Sequence, residues 1–126
     1  MADFKKLRVW HAAQALAIDT NRVVARMHGS ASATQRDQLI RAAGSVPTNI
    51  VEGRAHESDR EFARYLGYSI TSVTEVEGHI RLARSLGRIN EADFTSLLNQ
   101  VIDVRKMLYG LLKTLKNPGA DSAESG

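Results

Sequence analysis

The sequence has no cysteine, only two prolines, and one tryptophan, three tyrosines and three phenylalanines among its 126 residues. Without cysteine there is no disulfide, no thiolate nucleophile and no cysteine-ligated zinc. No stretch approaches 18 consecutive apolar residues, so no segment is expected to span a membrane. The opening Met1-Ala2-Asp3-Phe4-Lys5-Lys6 lacks the apolar run of a secretion signal, and the expected location is the cytoplasm. Also missing are a Gly-x-Ser-x-Gly elbow, a phosphate-binding loop and a dinucleotide fingerprint. Ser45 and Ser72 fall within helical patterns and belong to no nucleophile constellation. These absences point away from an enzyme: no catalytic residue is expected, and no cofactor.

What is present is ordinary for a folded domain, with 43% hydrophobic and 25% charged residues. Lys and Arg number 17 against 14 Asp and Glu. Asp121 and Glu124 lie in the last ten residues, so residues 1–116 hold 17 basic and 12 acidic groups, a net charge of +5. That mild basicity permits nucleic acid as a partner without demanding it.

Apolar spacing predicts four helices. Val9, Ala13, Leu16, Thr20, Val23 and Met27 alternate steps of four and three, with Trp10, Ala17 and Val24 as a second stripe. Leu39, Ala43, Val46 and Ile50 mark the second helix, and Phe62, Leu66, Ser69, Val73, Val76, Ile80 and Ala83 the third. Leu97, Val101, Val104, Leu108, Leu111 and Leu115 give the fourth a coiled-coil period, with Leu98, Ile102, Tyr109 and Leu112 alongside. Ser32 with Gln35 and Ser58 with Glu61 have capping-box spacing, and Asn90 precedes Asp93 as an N-cap. Gly53 and Gly87 read as helix stops, and Asn117-Pro118-Gly119 ends the last helix. The expected fold is all-α, an antiparallel up-down-up-down four-helix bundle over residues 1–116, with helices at about 7–27, 33–54, 59–86 and 91–116 and a flexible tail at 117–126. Helices 1 and 4 carry more apolar surface than one core-facing stripe requires, so either the core is generous or, as expected here, their outer stripes bury against another copy.

The unusual stretch runs from Gln38 to Gly53. Pro47 interrupts its helical pattern at a cost of about 3 kcal/mol, and Gly44 adds about 1 kcal/mol relative to alanine. Small residues at 42–45 allow a neighbouring helix to approach closely. Asn49 and Glu52 are placed to satisfy backbone groups that Pro47 frees. Antiparallel geometry sets Arg41 near Glu75 along the axis, predicting an interhelical ion pair that fixes register.

Two Glu/His pairs, Glu52 with His56 and Glu75 with His79, stand four apart, whereas di-iron bundles use a spacing of three from two convergent helices. They also lie on the order of 20 Å apart along the bundle, so no metal site is expected. His11 and His28 are isolated. Of the basic residues, Arg81, Arg84 and Arg88 form one stripe near the end of helix 3, and Lys5, Lys6 and Arg8 cluster before helix 1. These six are the candidate nucleic-acid contacts. Cations at a helix C-terminus also complement its dipole, so a merely solvated helix end stays open as a reading of the arginine stripe.

The run Gln38-Leu39-Ile40-Arg41-Ala42-Ala43-Gly44-Ser45-Val46-Pro47-Thr48-Asn49-Ile50-Val51-Glu52-Gly53 resembles the signature of the four-helix-bundle proteins encoded by intervening sequences in bacterial 23S rRNA genes. Arg41, Ala42, Ser45, Pro47, Asn49, Ile50, Glu52 and Gly53 match that motif. Phe4-x-x-Leu7-x-Val9-Trp10, Glu61-Phe62-x-x-Tyr65-Leu66 and Glu75 also look familial, so the likeness covers roughly residues 4–115. Thr71-Ser72 stands where the family usually has Gly-Ser, and Met27-His28-Gly29 where it often has an aromatic-Pro turn. The resemblance implies a homopentameric, barrel-like ring. It also extends to the accessory protein of diversity-generating retroelements, which would make a reverse transcriptase and nucleic acid the partners. The resulting expectation is a non-enzymatic homo-oligomer that binds RNA or DNA, or scaffolds another protein, through repeated basic surface. The alternative is a structural or protein-interaction module that binds no nucleic acid.

Overall fold

The computed structural model describes residues 3–28 and 33–116. A single 3₁₀ turn, Phe4–Lys6, leads into α1 (Arg8–Ala25), followed by α2 (Ala33–Arg54), α3 (Asp59–Ser85) and α4 (Glu91–Lys116). The Ser32 cap and the tail at 117–126 lie outside the described residues.

The starts of α3 and α4 and the end of α3 have local causes. The Ser58 hydroxyl accepts from the Glu61 N–H at 3.1 Å and opens α3, and the side-chain Oδ1 of Asn90 accepts from the Asp93 N–H at 2.7 Å at the start of α4. The second half of the Ser58 capping box does not form, because the Glu61 carboxylate turns to Arg64 instead, at 2.9 Å. At the end of α3, Gly87 takes a left-handed φ of 69°. Its N–H donates to Arg84 and the Arg88 N–H to Ala83, so the last carbonyls are satisfied. Gly53, expected as the same kind of stop, lies instead inside α2 and has no positive φ. α1 ends two residues before the expected Met27: the Arg26 and Met27 N–H groups turn to carbonyls three residues back and the His28 N–H goes to Arg88, while Arg36 of α2 donates to the carbonyls of Val24 and Met27 at 2.8 and 3.3 Å.

Consecutive helices run antiparallel, as the paired residues show: Arg36 meets Val24, Ser45 meets Ser72, Glu77 meets Arg105 and Asp19 meets Gln100. α4 returns to α1, which closes the bundle, and α2 with α3 makes the most extensive contact. The four apolar stripes read from the sequence meet in one core, with Leu16, Leu39, Ile50, Leu66, Ile80, Leu97 and Leu108 fully enclosed. Thr20 and Ser69 are buried there as well, each hydroxyl donating to a backbone carbonyl, which removes the penalty for burying it.

The outer stripes do not all behave as expected. On α1, Val24 is buried and Trp10 and Ala17 are half-buried within the same chain, Trp10 meeting Phe4 edge-on at 5.1 Å. On α4, Tyr109 is exposed, with Leu98, Ile102 and Leu112 half-buried. Spacing did not single out Leu82 and Leu86, yet both are about half exposed on α3.

Candidate functional site

The seam between α2 and α3 is built from small residues and hydroxyls. Ser45 and Ser72 bring their oxygens to 2.5 Å across it, and the Ser69 hydroxyl donates to the Val46 carbonyl at 2.8 Å. Around the buried Pro47, Thr48 donates to the Gly44 carbonyl and Asn49 Nδ2 to that of Ser45, at 2.9 and 2.8 Å. The carbonyl deprived of a helical donor by Pro47 is that of Ala43, and no described side chain takes it. Asn49 therefore serves the carbonyl two positions later, and Glu52, expected to help, is exposed and makes no hydrogen bond among the described residues.

Of the small residues at 42–45, Ala42 and Ala43 are buried and Ser45 meets Ser72 across the seam, whereas Gly44 takes no part and the tightest approach is at Gly53. A Cβ at Gly44 would meet nothing within 4 Å, whereas one at Gly53 would lie 2.7 Å from Tyr65 Cβ and 3.0 Å from Phe62 Cδ1. Gly53 is thus the point where α3 rests on the α2 backbone.

Outside this seam, Gln38, Arg41, Ala42, Ser45, Glu75 and His79 line an open cleft of about 490 Å³. Arg41 and Glu75 share it but form no ion pair among the described residues, contrary to the register argument. Ala42 and Val76, one position further round each helix, occupy the buried seam. Arg41 and Glu75 are left on its outer lips, where water screens their attraction. The acid that does bridge helices is Glu77, which accepts from Arg81 at 2.7 Å and from Arg105 of α4 at 2.8 Å. Those two hydrogen bonds, Arg81's first, hold its carboxyl below the usual range. Arg26 does the same for Asp93 through a two-pronged contact at 2.8 and 2.9 Å. Among the described residues no three His, Asp or Glu groups converge on a point that could hold a metal.

The six basic candidates fall at opposite ends of the bundle. Arg81 is held by Glu77; Arg84 is held by Glu91 at 2.9 and 3.0 Å and lies over the Phe94 ring at 4.4 Å; Arg88 donates to Gln35. The stripe is therefore largely engaged within the chain. Lys5 and Lys6 are exposed at the other end, in the 3₁₀ turn that rests on α1 and α2, and their ammonium groups have no partner among the described residues. Arg8, also exposed, follows at the start of α1.

That second end carries a group the sequence reading did not assemble. His56 stacks on Tyr65 with ring centroids 5.2 Å apart and planes 20° apart, and Tyr68 meets Tyr65 edge-on at 5.4 Å. Arg64 lies 5.3 Å from the Tyr65 centroid and 5.7 Å from that of Tyr68, and donates to the Tyr68 hydroxyl at 3.1 Å. Its hydrogen bond to Glu61 raises its pKa further. The available signal was the spacing of Arg64, Tyr65 and Tyr68 at the start of a helix; the place of His56 depends on the turn before it.

Comparison with known proteins bears on most of the chain. The family described as 23S rRNA-intervening sequence protein matches residues 5–110. A 1.70 Å crystal structure of a protein of unknown function from the S23 ribosomal protein family of Bacteroides thetaiotaomicron VPI-5482 superposes with a TM-score of 0.76. It covers 84% of this chain and 99% of its own at 19% identity, a likeness of fold. None of the curated proteins matches.

Proposed function

Because the chain belongs to the family of 23S rRNA-intervening sequence proteins, we propose that it acts without catalysis, as a ring of five helical bundles whose pooled basic surface engages RNA or DNA. The observation that carries this reading is a pair of unlike apolar patches. Leu82 and Leu86, 49% and 48% exposed, border a groove with Met27 and Leu39 at one end of the bundle. Tyr109, 55% exposed, stands with half-buried Leu98 and Ile102 on α4. Two different patches favour a contact that joins unlike surfaces, and such a contact builds a ring when its rotation closes, the geometry that the family resemblance implies. Finishing the burial of each leucine contributes about 1 kcal/mol per copy.

A ring multiplies the +5 of residues 1–116 by its number of copies, turning mild basicity into a polyvalent field for phosphates. By family analogy, a reverse transcriptase is a further partner of such a ring. Light scattering on purified protein tests the assembly, with a mass five times that of the chain expected and a monomer overturning it. Titration with mixed RNA and DNA tests the binding, which should weaken steeply as salt rises. Undetectable or salt-insensitive binding at low ionic strength removes the nucleic-acid reading.

The second reading, a protein-interaction module without nucleic acid, is favoured by the internal pairing of Arg81 and Arg84. A pull-down that returned a protein and no nucleic acid would select it.

A further inference from the structure

We propose that the corner between α2 and α3, formed by His56, Arg64, Tyr65 and Tyr68, is a stacking platform for the unpaired bases of single-stranded nucleic acid. This inference rests on the reading that the protein binds nucleic acid, and it names the surface and the form of the ligand.

The argument begins with what these side chains do not do. His56, Arg64 and Tyr68 are exposed and add little to the core, Tyr68 leaving 44% of its surface in water. A tyrosine on the outer face of a helix gives up a large apolar ring to solvent, and here that ring belongs to an ordered group. Tyr65 is fixed from below, its Cβ held against Gly53. On that base His56 stacks in parallel, Tyr68 stands edge-on, and Arg64 reaches both tyrosine rings while anchored by Glu61. Rings already held in place lose little freedom when something stacks on them.

The charges of residues 52–64 nearly cancel, Arg54, Arg60 and Arg64 against Glu52, Glu57, Asp59 and Glu61, so what this corner offers a phosphodiester strand, compared with the opposite end, is cations that are not already paired. There, Glu77 and Glu91 neutralise Arg81 and Arg84. Here, Arg60 is exposed with no partner among the described residues, and the unpaired Lys5 and Lys6 lie at the same end of the bundle. Glu57, Asp59 and Glu61 share the corner, and Arg64 occupies Glu61. Aromatic rings beside cations that track a backbone are the ingredients of sequence-tolerant single-strand binding. A duplex keeps its bases inside the helix and cannot use the platform.

The test is fluorescence anisotropy on the full chain with a labelled 12-nucleotide RNA, DNA of the same sequence, and the matching duplex. The wild type is expected to prefer the single strands. His56→Ala combined with Tyr68→Ala should weaken single-strand binding by about ten- to a hundredfold, the loss that follows removal of base stacking, while duplex binding changes less than about twofold. Tyr68→Phe keeps the ring and should retain affinity. Both positions are exposed, so unchanged circular dichroism is expected for each variant. A loss confined to RNA, or to DNA, supports the platform and identifies which strand it takes. Wild-type binding that the double variant leaves intact overturns the platform alone. A wild type that binds none of the three overturns the nucleic-acid reading and the platform with it.

Discussion

Gly53 and Tyr65 touch so closely that a methyl group on the glycine would lie 2.7 Å from the tyrosine Cβ. Neither carbon can swing aside by changing rotamer, so the two helices would have to part. Gly53→Ala gains up to about 1 kcal/mol of helix propensity and incurs overpacking of about 1–3 kcal/mol. A net loss of about 1–2 kcal/mol is expected, read as a Tm lower by about 5–10 °C. An unchanged or higher Tm would show that the two helices are not in contact there.

Ser69 crosses the same seam from the other side, with its hydroxyl on the carbonyl of Val46. Ser69→Ala removes a buried donor and should cost about 1 kcal/mol. Thr48→Ala, which removes an exposed hydroxyl bonded within its own helix, should stay within about 0.5 kcal/mol. Urea midpoints compare the two; equal shifts would mean that the seam is not held by its hydroxyls.

Acid should weaken the fold in a defined window. Glu77 and Asp93 both titrate below the usual carboxylate range in the folded protein, through hydrogen bonds from Arg81 and Arg105 and from Arg26. A carboxyl depressed by folding contributes stability that is fully present above its unfolded pKa, near 4, and lost as pH falls through the lower folded value. Stability should therefore hold at pH 5–7 and drop below about pH 4. Glu77→Gln should flatten part of that drop by about 1 kcal/mol at most, because Glu77 remains 21% exposed and solvent screens its pairs. Chemical denaturation across pH 2–7 gives the comparison, and identical curves for the two proteins would remove Glu77 from the account.

The two basic clusters should differ in their effect on nucleic acid. Lys5→Ala with Lys6→Ala removes unpaired charge and should weaken binding and reduce the salt slope by about one to two units. Arg81→Ala with Arg84→Ala removes charge already matched by Glu77 and Glu91, and its larger effect should be on Tm. Binding that fell more for the arginine pair would return the contact surface to the end of α3.

Much of the fold was legible because a helix writes its buried face into the sequence at a fixed period. α2 and α4 occupy the expected residues, and every residue of the predicted α3 stripe from Phe62 to Ala83 is buried. The candidate site was less legible, because its geometry depends on how helices rotate against one another. Axial alignment placed Arg41 opposite Glu75, yet rotation puts both on the outer lips of the cleft. Gly53 stands one residue before the end of α2 and reads locally as a stop, while its role is set by Tyr65, twelve positions later. Leu82 and Leu86 looked like part of an ordinary amphipathic helix. Only the positions of α1 and α2 show that nothing among the described residues covers them fully.

The hydroxyl row Ser45, Ser72 and Ser69 gives α2 and α3 a directional attachment inside their seam, whereas the polar contacts that tie α4 to its neighbours, Glu77–Arg105, Arg26–Asp93 and Asp19–Gln100, sit nearer the surface. Methyl groups tolerate sliding, whereas a donor aimed at one oxygen does not. The middle pair should then serve as a spine, with α1 and α4 opening from it first. Amide protons along α2 and α3 would outlast the others in heavy water.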